Sequence, residues 1–377
     1  MIYNHNLNDY GWYEVGHQKY YSKIQALFAA QSSKQPIRYN CNDALFSQHR
    51  WDIEPVETLE TLYAQRAEQI RNSYDYLILH FSGGTDSANI METFIRNNIH
   101  LDEVCIRGSI SQAAKKTGGV LEAEDQYSEC TNQSVPLANW VKDHHMPHLR
   151  ITVVDTVQLI TDYFQNTADW IERNVDDFTP GNYVLRNLDT LSPHYKKMAD
   201  SGKRVAHILG VGKPRIFKQK NYFYTYFQDR NGTTNWLSPK DEIDSRPQYV
   251  ECFYWGVNAI ALQIKQLHVL KNHIKTYPES EPALLDPNQD RGWENLVASI
   301  IYRRTLPLLS EHKKNTNILI LPSRDNWFAK DPHADCFKNW KKGVDYLRTL
   351  IDPSWYNENI WTSGIKALFS KPYYLGV

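Results

Sequence analysis

The sequence predicts an α/β fold: a doubly wound parallel sheet followed by a mostly helical C-terminal region. Three observations carry this. Between residues 74 and 209, strand-length apolar runs alternate with segments of helical period, the order that gives a parallel sheet covered on both faces. The first and last of these runs lead into glycine turns, Gly83-Gly84 and Gly210-Val211-Gly212. From Arg230 the turn-rich RNGTTNWLSPKDEIDSRP gives way to long helical patterns. A chain of 377 residues is comfortable for two cores.

Residues 1–70 read as a small N-terminal α+β region. Segments 12–15 and 19–21 flank Gly16 as a hairpin, and 22–30 reads as a helix. A second helix follows Pro55 in VETLETLYAQRAEQIRNS, where Leu59, Leu62 and Ile70 recur at near-helical spacing. The α/β part spans 71–235. Its strands are read at 74–81, 101–106, 149–154 and 204–209, and its helices at 88–98, 123–144 and 156–164. Pro136 marks a break or a first-turn position in the second of those helices. In residues 236–377 the helical patterns cover 257–274, 293–309 and 340–350. This region is expected to pack over the sheet and supply part of a pocket.

Composition narrows the function classes. Net charge is −1, without the basic excess of a protein devoted to gripping a nucleic-acid backbone. The 24 Tyr and 11 Trp are the oddity, since aromatics fill cores and also stack on bases. Five cysteines, Cys41, Cys105, Cys130, Cys252 and Cys336, contain no CxxC pair. A disulfide framework or a four-cysteine zinc site is not expected. The opening residues lack the basic-then-apolar pattern of a signal peptide, and no run of 18 apolar residues occurs. The expectation is a cytoplasmic protein with no membrane partner.

The segment that carries chemistry is Phe81-Ser82-Gly83-Gly84-Thr85-Asp86-Ser87-Ala88, between a buried strand and a helix. Paired glycines let the backbone approach an anion closely. Amides at the start of the following helix have no internal acceptor and, with the helix dipole, make an anion site. Ser82, Ser87 and Thr85 add hydroxyls. Asp86 is out of place beside phosphate unless a hard cation, Mg²⁺, bridges the two. The alternative is a serine/glycine turn that merely joins strand to helix. A Walker-type loop is excluded, because Gly212-Lys213 is followed by Pro214. After the fourth strand, Gly210, Gly212, Lys213 and Arg215 offer close approach and positive charge; the alternative there is a strand-end turn with solvated charges. Arg107, ending the second strand, either contacts phosphate or substrate or is an exposed loop charge.

The segment resembles the SGGxDS signature of the PP-loop ATP pyrophosphatases, the superfamily of adenine nucleotide alpha hydrolase-like folds. It includes the ATP-using domains of asparagine, GMP, NAD and argininosuccinate synthetases and several tRNA-modifying enzymes. The resemblance covers about residues 71 to 220. It implies that Ser82, Gly83, Gly84, Thr85, Asp86 and Ser87 hold the pyrophosphate part of ATP. Asp86 would bind Mg²⁺, and Lys213 and Arg215 would face the phosphates near Gly210 and Gly212. Backbone around Arg107 and Ser109 would hold the adenine. The flanking regions are similar to asparagine-synthetase-like proteins of large tailed bacteriophages, which would place the chain in a host cytoplasm.

The resemblance implies an AMP-forming, ligase-like enzyme. A carboxylate or carbonyl oxygen of an acceptor (amino acid, nucleotide or nucleic acid) attacks ATP, and an amine then displaces AMP. Residue 2 is Ile2, so the N-terminal cysteine of a glutaminase is absent. Two alternatives stand beside it: a sulfur-transfer enzyme using Cys105 or Cys130, and a non-catalytic nucleotide-sensing module. A homo-oligomer is compatible with each. His144, His145 and His148 read as a solvated helix end rather than zinc ligands, because Pro147 breaks their common face. The basic and aromatic stretch 218–227 reads as a hairpin with one packed face or as a stacking platform for a base.

Overall fold

The computed structural model describes residues 11–108, 110–111, 129–166, 192–229, 248–286, 291–302, 334–355 and 366–377. Ser109, the turn-rich stretch 230–247, and parts of the helices read at 123–144 and 293–309 lie outside them.

The N-terminal region begins with β1 (Trp12–Val15), β2 (Gln18–Tyr20), α1 (Lys23–Ser33) and β3 (Ile37–Asn40). The three strands pair antiparallel in the order β2-β1-β3. Ser22 caps α1 by accepting from the Gln25 amide. A short α2 (Asp43–Phe46) and the longer α3 (Leu59–Ser73) follow, and Thr58 caps α3 in the same way.

The central unit alternates strand and helix as expected: β4 (Tyr76–His80), α4 (Thr85–Arg96), β5 (Glu103–Gly108), α5 (Val135–His144), β6 (Arg150–Asp155), α6 (Thr156–Asn166), α7 (Pro193–Asp200) and β7 (Val205–Leu209). A turn of π-helix, Glu129–Ser134, precedes α5, and Pro136 sits in its first turn. The chain continues through β8 (Ile216–Gln219), β9 (Tyr222–Thr225), β10 (Gln248–Cys252), α8 (Ile260–Thr276), α9 (Glu281–Leu284), α10 (Arg291–Ile301), α11 (Asp335–Leu350) and β11 (Tyr373–Gly376).

Five strands form one all-parallel sheet in the order β10-β7-β4-β5-β6. The period of two splits its side chains between two cores. Leu77, Leu79, Val104, Ile106, Ala206 and Ile208 face one core with α3, α4, α5 and α8. Ile78, Cys105 and Val205 face the other, with α6, α7 and α11. Helices therefore cover both faces, which is the doubly wound arrangement.

Gln248–Cys252, which the sequence assigns to the helical C-terminal region, is instead an edge strand of this sheet. Its polar residues hid it. Glu251 is buried with its charge met, by Arg66 on α3 at 2.6 Å and by Tyr74, which donates to it at 2.7 Å. The last strand, β11, likewise pairs with β9 in a second three-stranded sheet, β11-β9-β8. The C-terminal third is thus woven into both sheets. Among the described residues no helix is long and apolar enough to cross a membrane.

Candidate active site

The strand order reverses between β4 and β7, which lie side by side while their onward connections run to opposite edges. In open parallel sheets, ligands bind at the carboxyl ends of the strands at this reversal. The loops that leave those two ends are Phe81–Gly84 and Gly210–Arg215, the two segments the sequence marks.

Helix α4 begins at Thr85, three residues earlier than the sequence suggests. Gly84 is its N-cap, with no side chain capping the helix. The Thr85, Asp86 and Ser87 amides thus open the helix without intrahelical acceptors. Gly83 adopts φ +69 with its carbonyl turned to the Gln133 amide at 3.0 Å. A Cβ there would lie 3.0 Å from Ser134 Oγ. Ser82 is exposed, and its Oγ lies 3.4 Å from that of buried Ser87.

The second loop packs directly on the first. A Cβ on Gly210 would lie 3.1 Å from the backbone of Asp86 and Ser87, closer than most Cβ contacts, so glycine eases this approach. Gly212 rests against Trp255. Beyond it, Lys213 Nζ reaches Asp86 Oδ2 at 2.5 Å, in a partly buried pair. Arg215 bonds Gln228 Oε1 and, with Lys213, lines a cleft shared with Thr225, Tyr226, Trp255 and Gln263.

Two residues absent from the sequence reading complete the surroundings of Asp86. Tyr302, just past α10, donates to Asp86 Oδ1 at 2.8 Å. Tyr254, just past β10, donates to the Asp86 carbonyl at 2.8 Å and accepts from Asn89 at 2.9 Å. Burial, then the charge of Asp86, holds the Tyr302 phenol well above its ordinary range, so it remains a donor. Tyr254 lies in the aromatic run Phe253-Tyr254-Trp255; no local pattern marks Tyr302.

Beneath the loops, His80 at the end of β4 meets His207 of β7, Nε2 to Nδ1 at 2.9 Å. His207 Nε2 meets Gln248 Oε1 at 3.0 Å. The carbonyl oxygen makes His207 Nε2 the donor, so His80 Nε2 donates to His207 Nδ1. Burial, reinforced by the nearby Arg107 charge, pushes both imidazoles below their usual range, His207 to about 4. Arg107 therefore makes its charge felt at this histidine pair under the sheet's end. Its carbonyl accepts from Cys130 Sγ at 3.2 Å.

Among the discounted signals, the His144 ring bonds the Trp140 carbonyl, and His148 stacks on His100. The stretch 218–227 forms the β8–β9 hairpin, with Phe223 and Thr225 buried. Among the described residues no three His, Cys, Asp or Glu side chains gather as a metal-binding group. Asp86 is the single carboxylate in the segment Phe81–Ala88. That donor set suits Mg²⁺, which binds through one or two carboxylates, waters and substrate phosphates rather than an all-protein cage.

Compared with known proteins, the chain matches no family model, and no curated protein matches it significantly.

Proposed function

We propose that this protein is an ATP pyrophosphatase of the PP-loop kind, which transfers AMP from ATP to an acceptor oxygen and releases pyrophosphate. The observation that carries the reading is the meeting of two loops at the sheet's switch point. One is a glycine-rich anion loop that opens an uncapped helix; the other brings Lys213 onto its carboxylate, Asp86.

In this reading the amides of Thr85 to Ser87, with the Ser82 and Ser87 hydroxyls, hold the β- and γ-phosphates. Asp86 would hold Mg²⁺, which neutralises phosphate charge when bound. Tyr302 fixes the carboxylate, and Lys213 exchanges from Asp86 to the phosphates once ATP arrives. An acceptor oxygen forms a bond to the α-phosphorus while the bond to the β-phosphate oxygen breaks. The electron pair leaves on pyrophosphate, where Lys213 and Arg215 offset the new charge. An amine then attacks the activated carbon, and AMP departs with the transferred oxygen.

The sulfur-transfer reading draws no support from Cys105. Its thiol is buried in the core on the sheet's second face, and burial pushes it up to about 11, so it stays protonated at neutral pH.

The test is to incubate the protein with Mg²⁺, α-labelled ATP and pools of amino acids, nucleosides, RNA and DNA. AMP and pyrophosphate, lost in Asp86→Ala, would support the reading. ADP and phosphate would mean a kinase or ATPase and would overturn it.

A further inference from the structure

The sheet β11-β9-β8 buries one face and leaves the other to solvent. Ile216, Phe223, Thr225, Tyr373 and Leu375 point inward, toward a core that includes α8 and the rings of Phe46 and Trp51. On such a sheet the outward positions are normally polar. Here they are aromatic. Register sets Phe217 opposite Tyr224, and Tyr224 opposite Tyr374.

Six rings form one continuous track. Phe369 touches Tyr226 at 5.1 Å, and Tyr226 touches Phe217 at 5.6 Å. Phe217 lies nearly parallel to Tyr224 at 5.4 Å. Tyr374 follows at 5.6 Å from Tyr224, and Tyr222 at 5.9 Å from Tyr374. Phe369 is 51% exposed, Tyr222 45% and Tyr374 42%, so the track offers open ring surface rather than a closed core.

The segments that build the sheet, 216–229 and 366–377, carry four exposed lysines. Register sets Lys218 beside inward Phe223, and Lys371 reaches Ser47 and the ring of inward Tyr373, so both stand at the sheet's edges, while Lys220 lies in the turn between β8 and β9. The single acidic residue of these segments, Asp229, is buried against Lys23 at 2.5 Å. Glu281 of α9 meets Lys218 at 2.8 Å and leaves the other three lysines outside that contact. A patch of aromatic surface on a sheet with lysines at its edges suits a ligand that alternates flat apolar rings with negative charge. The track also runs into the candidate site. Tyr226 is both one of the six rings and a wall of the cleft lined by Lys213 and Arg215. In the same cleft the buried Gln263 amide has neither its donor nor its acceptor bonded among the described residues.

We propose that this face is a stacking platform for single-stranded nucleic acid, leading a base toward the Lys213 cleft. The binding half stands on the sheet alone; the delivery of an acceptor base rests on the proposed adenylation.

The experiment is a fluorescence-anisotropy titration of the full chain against labelled oligothymidylate and oligouridylate of about 12 nucleotides, without ATP. The expected result is binding of one or both that weakens with salt, and a loss of about tenfold for each ring removed in Tyr222→Ala, Phe369→Ala and Tyr374→Ala. Tyr222→Phe and Tyr374→Phe keep the stacking surface and should keep affinity. Thermal melting of each variant separates lost binding from lost fold. No binding, equal binding of a duplex, or alanine variants that melt normally and bind as the parent does would each overturn the proposal. So would a concentration-dependent dimer that Tyr374→Ala dissolves. Because no ATP is present, the outcome is independent of whether the chain forms AMP.

Discussion

Lys213 Nζ lies 2.5 Å from Asp86 Oδ2 although 127 residues separate the two in sequence. The pair joins the loop after β4 to the loop after β7, and Tyr302 closes the other carboxylate oxygen. Asp86 also stands in the first turn of α4, where a negative charge suits the helix dipole whatever its further role. Turnover is what separates the two roles. Asp86→Ala should abolish AMP formation while circular dichroism and melting change little. A folded, active variant would leave Asp86 with only a helix-end role.

Tyr302→Phe removes one hydrogen bond to a carboxylate and keeps the ring. The expected effect is a fall in turnover of about tenfold, the scale of one charge-assisted hydrogen bond, with little change in melting. Steady-state kinetics with the acceptor pool decide this. Unchanged turnover would make Tyr302 a packing residue.

Gly210→Ala places a methyl 3.1 Å from the backbone of Asp86 and Ser87, which has no rotamer with which to retreat. The loops must give by a few tenths of an ångström. A cost of about 1 to 3 kcal/mol is expected for such overpacking, together with weaker ATP binding. Calorimetric titration with ATP, alongside denaturant unfolding, reads both. A variant that binds ATP as the parent does would mean that the contact is not needed for the site.

Acid should destabilise the fold through His80 and His207. Both are held neutral by burial, with folded values below the ordinary 6.5. Above about pH 6.5 the folded and unfolded chains agree in protonation, and the stability is fully present. As pH falls from there toward 4, the unfolded chain takes up protons that the folded chain refuses. His207 alone then removes about 1.4 kcal/mol per pH unit. Urea midpoints measured across this range should decline and should decline less in His207→Gln. Equal slopes in the two proteins would remove His207 from the acid response.

Arg66→Met tests how α3 is tied to β10. Arg66 meets Glu251 at 2.6 Å and also donates to the Cys252 and Phe253 carbonyls. Removing it takes the guanidinium partner from a buried carboxylate. A loss of about 3 to 5 kcal/mol is expected. A double change with Glu251→Gln should recover part of it, and failure to do so would place the loss in packing.

Much of the site was legible because its signals are local. An apolar run at 74–81 followed by paired glycines says strand, tight turn and helix start within fourteen residues. What stayed hidden were residues whose meaning depends on a distant partner. β10 was missed because Gln248 and Glu251 look like loop residues until His207 and Arg66 satisfy them. Tyr302 and Tyr254 carry no motif; they matter only through Asp86. The start of α4 was read late because Gly84 caps it without the serine, threonine or aspartate that announces a helix.

The sequence by itself determined the alternation of strand and helix and the glycine turn that joins the first strand of the sheet to its helix. These depend on steric and hydrophobic rules that act over a few residues. Only the tertiary structure decided that β7 lies beside β4. That adjacency sets Lys213 on Asp86 and Gly210 on the first turn of α4. Strand order is fixed by which edges pair and which helix faces bury together, contacts formed across more than a hundred residues that no local pattern encodes.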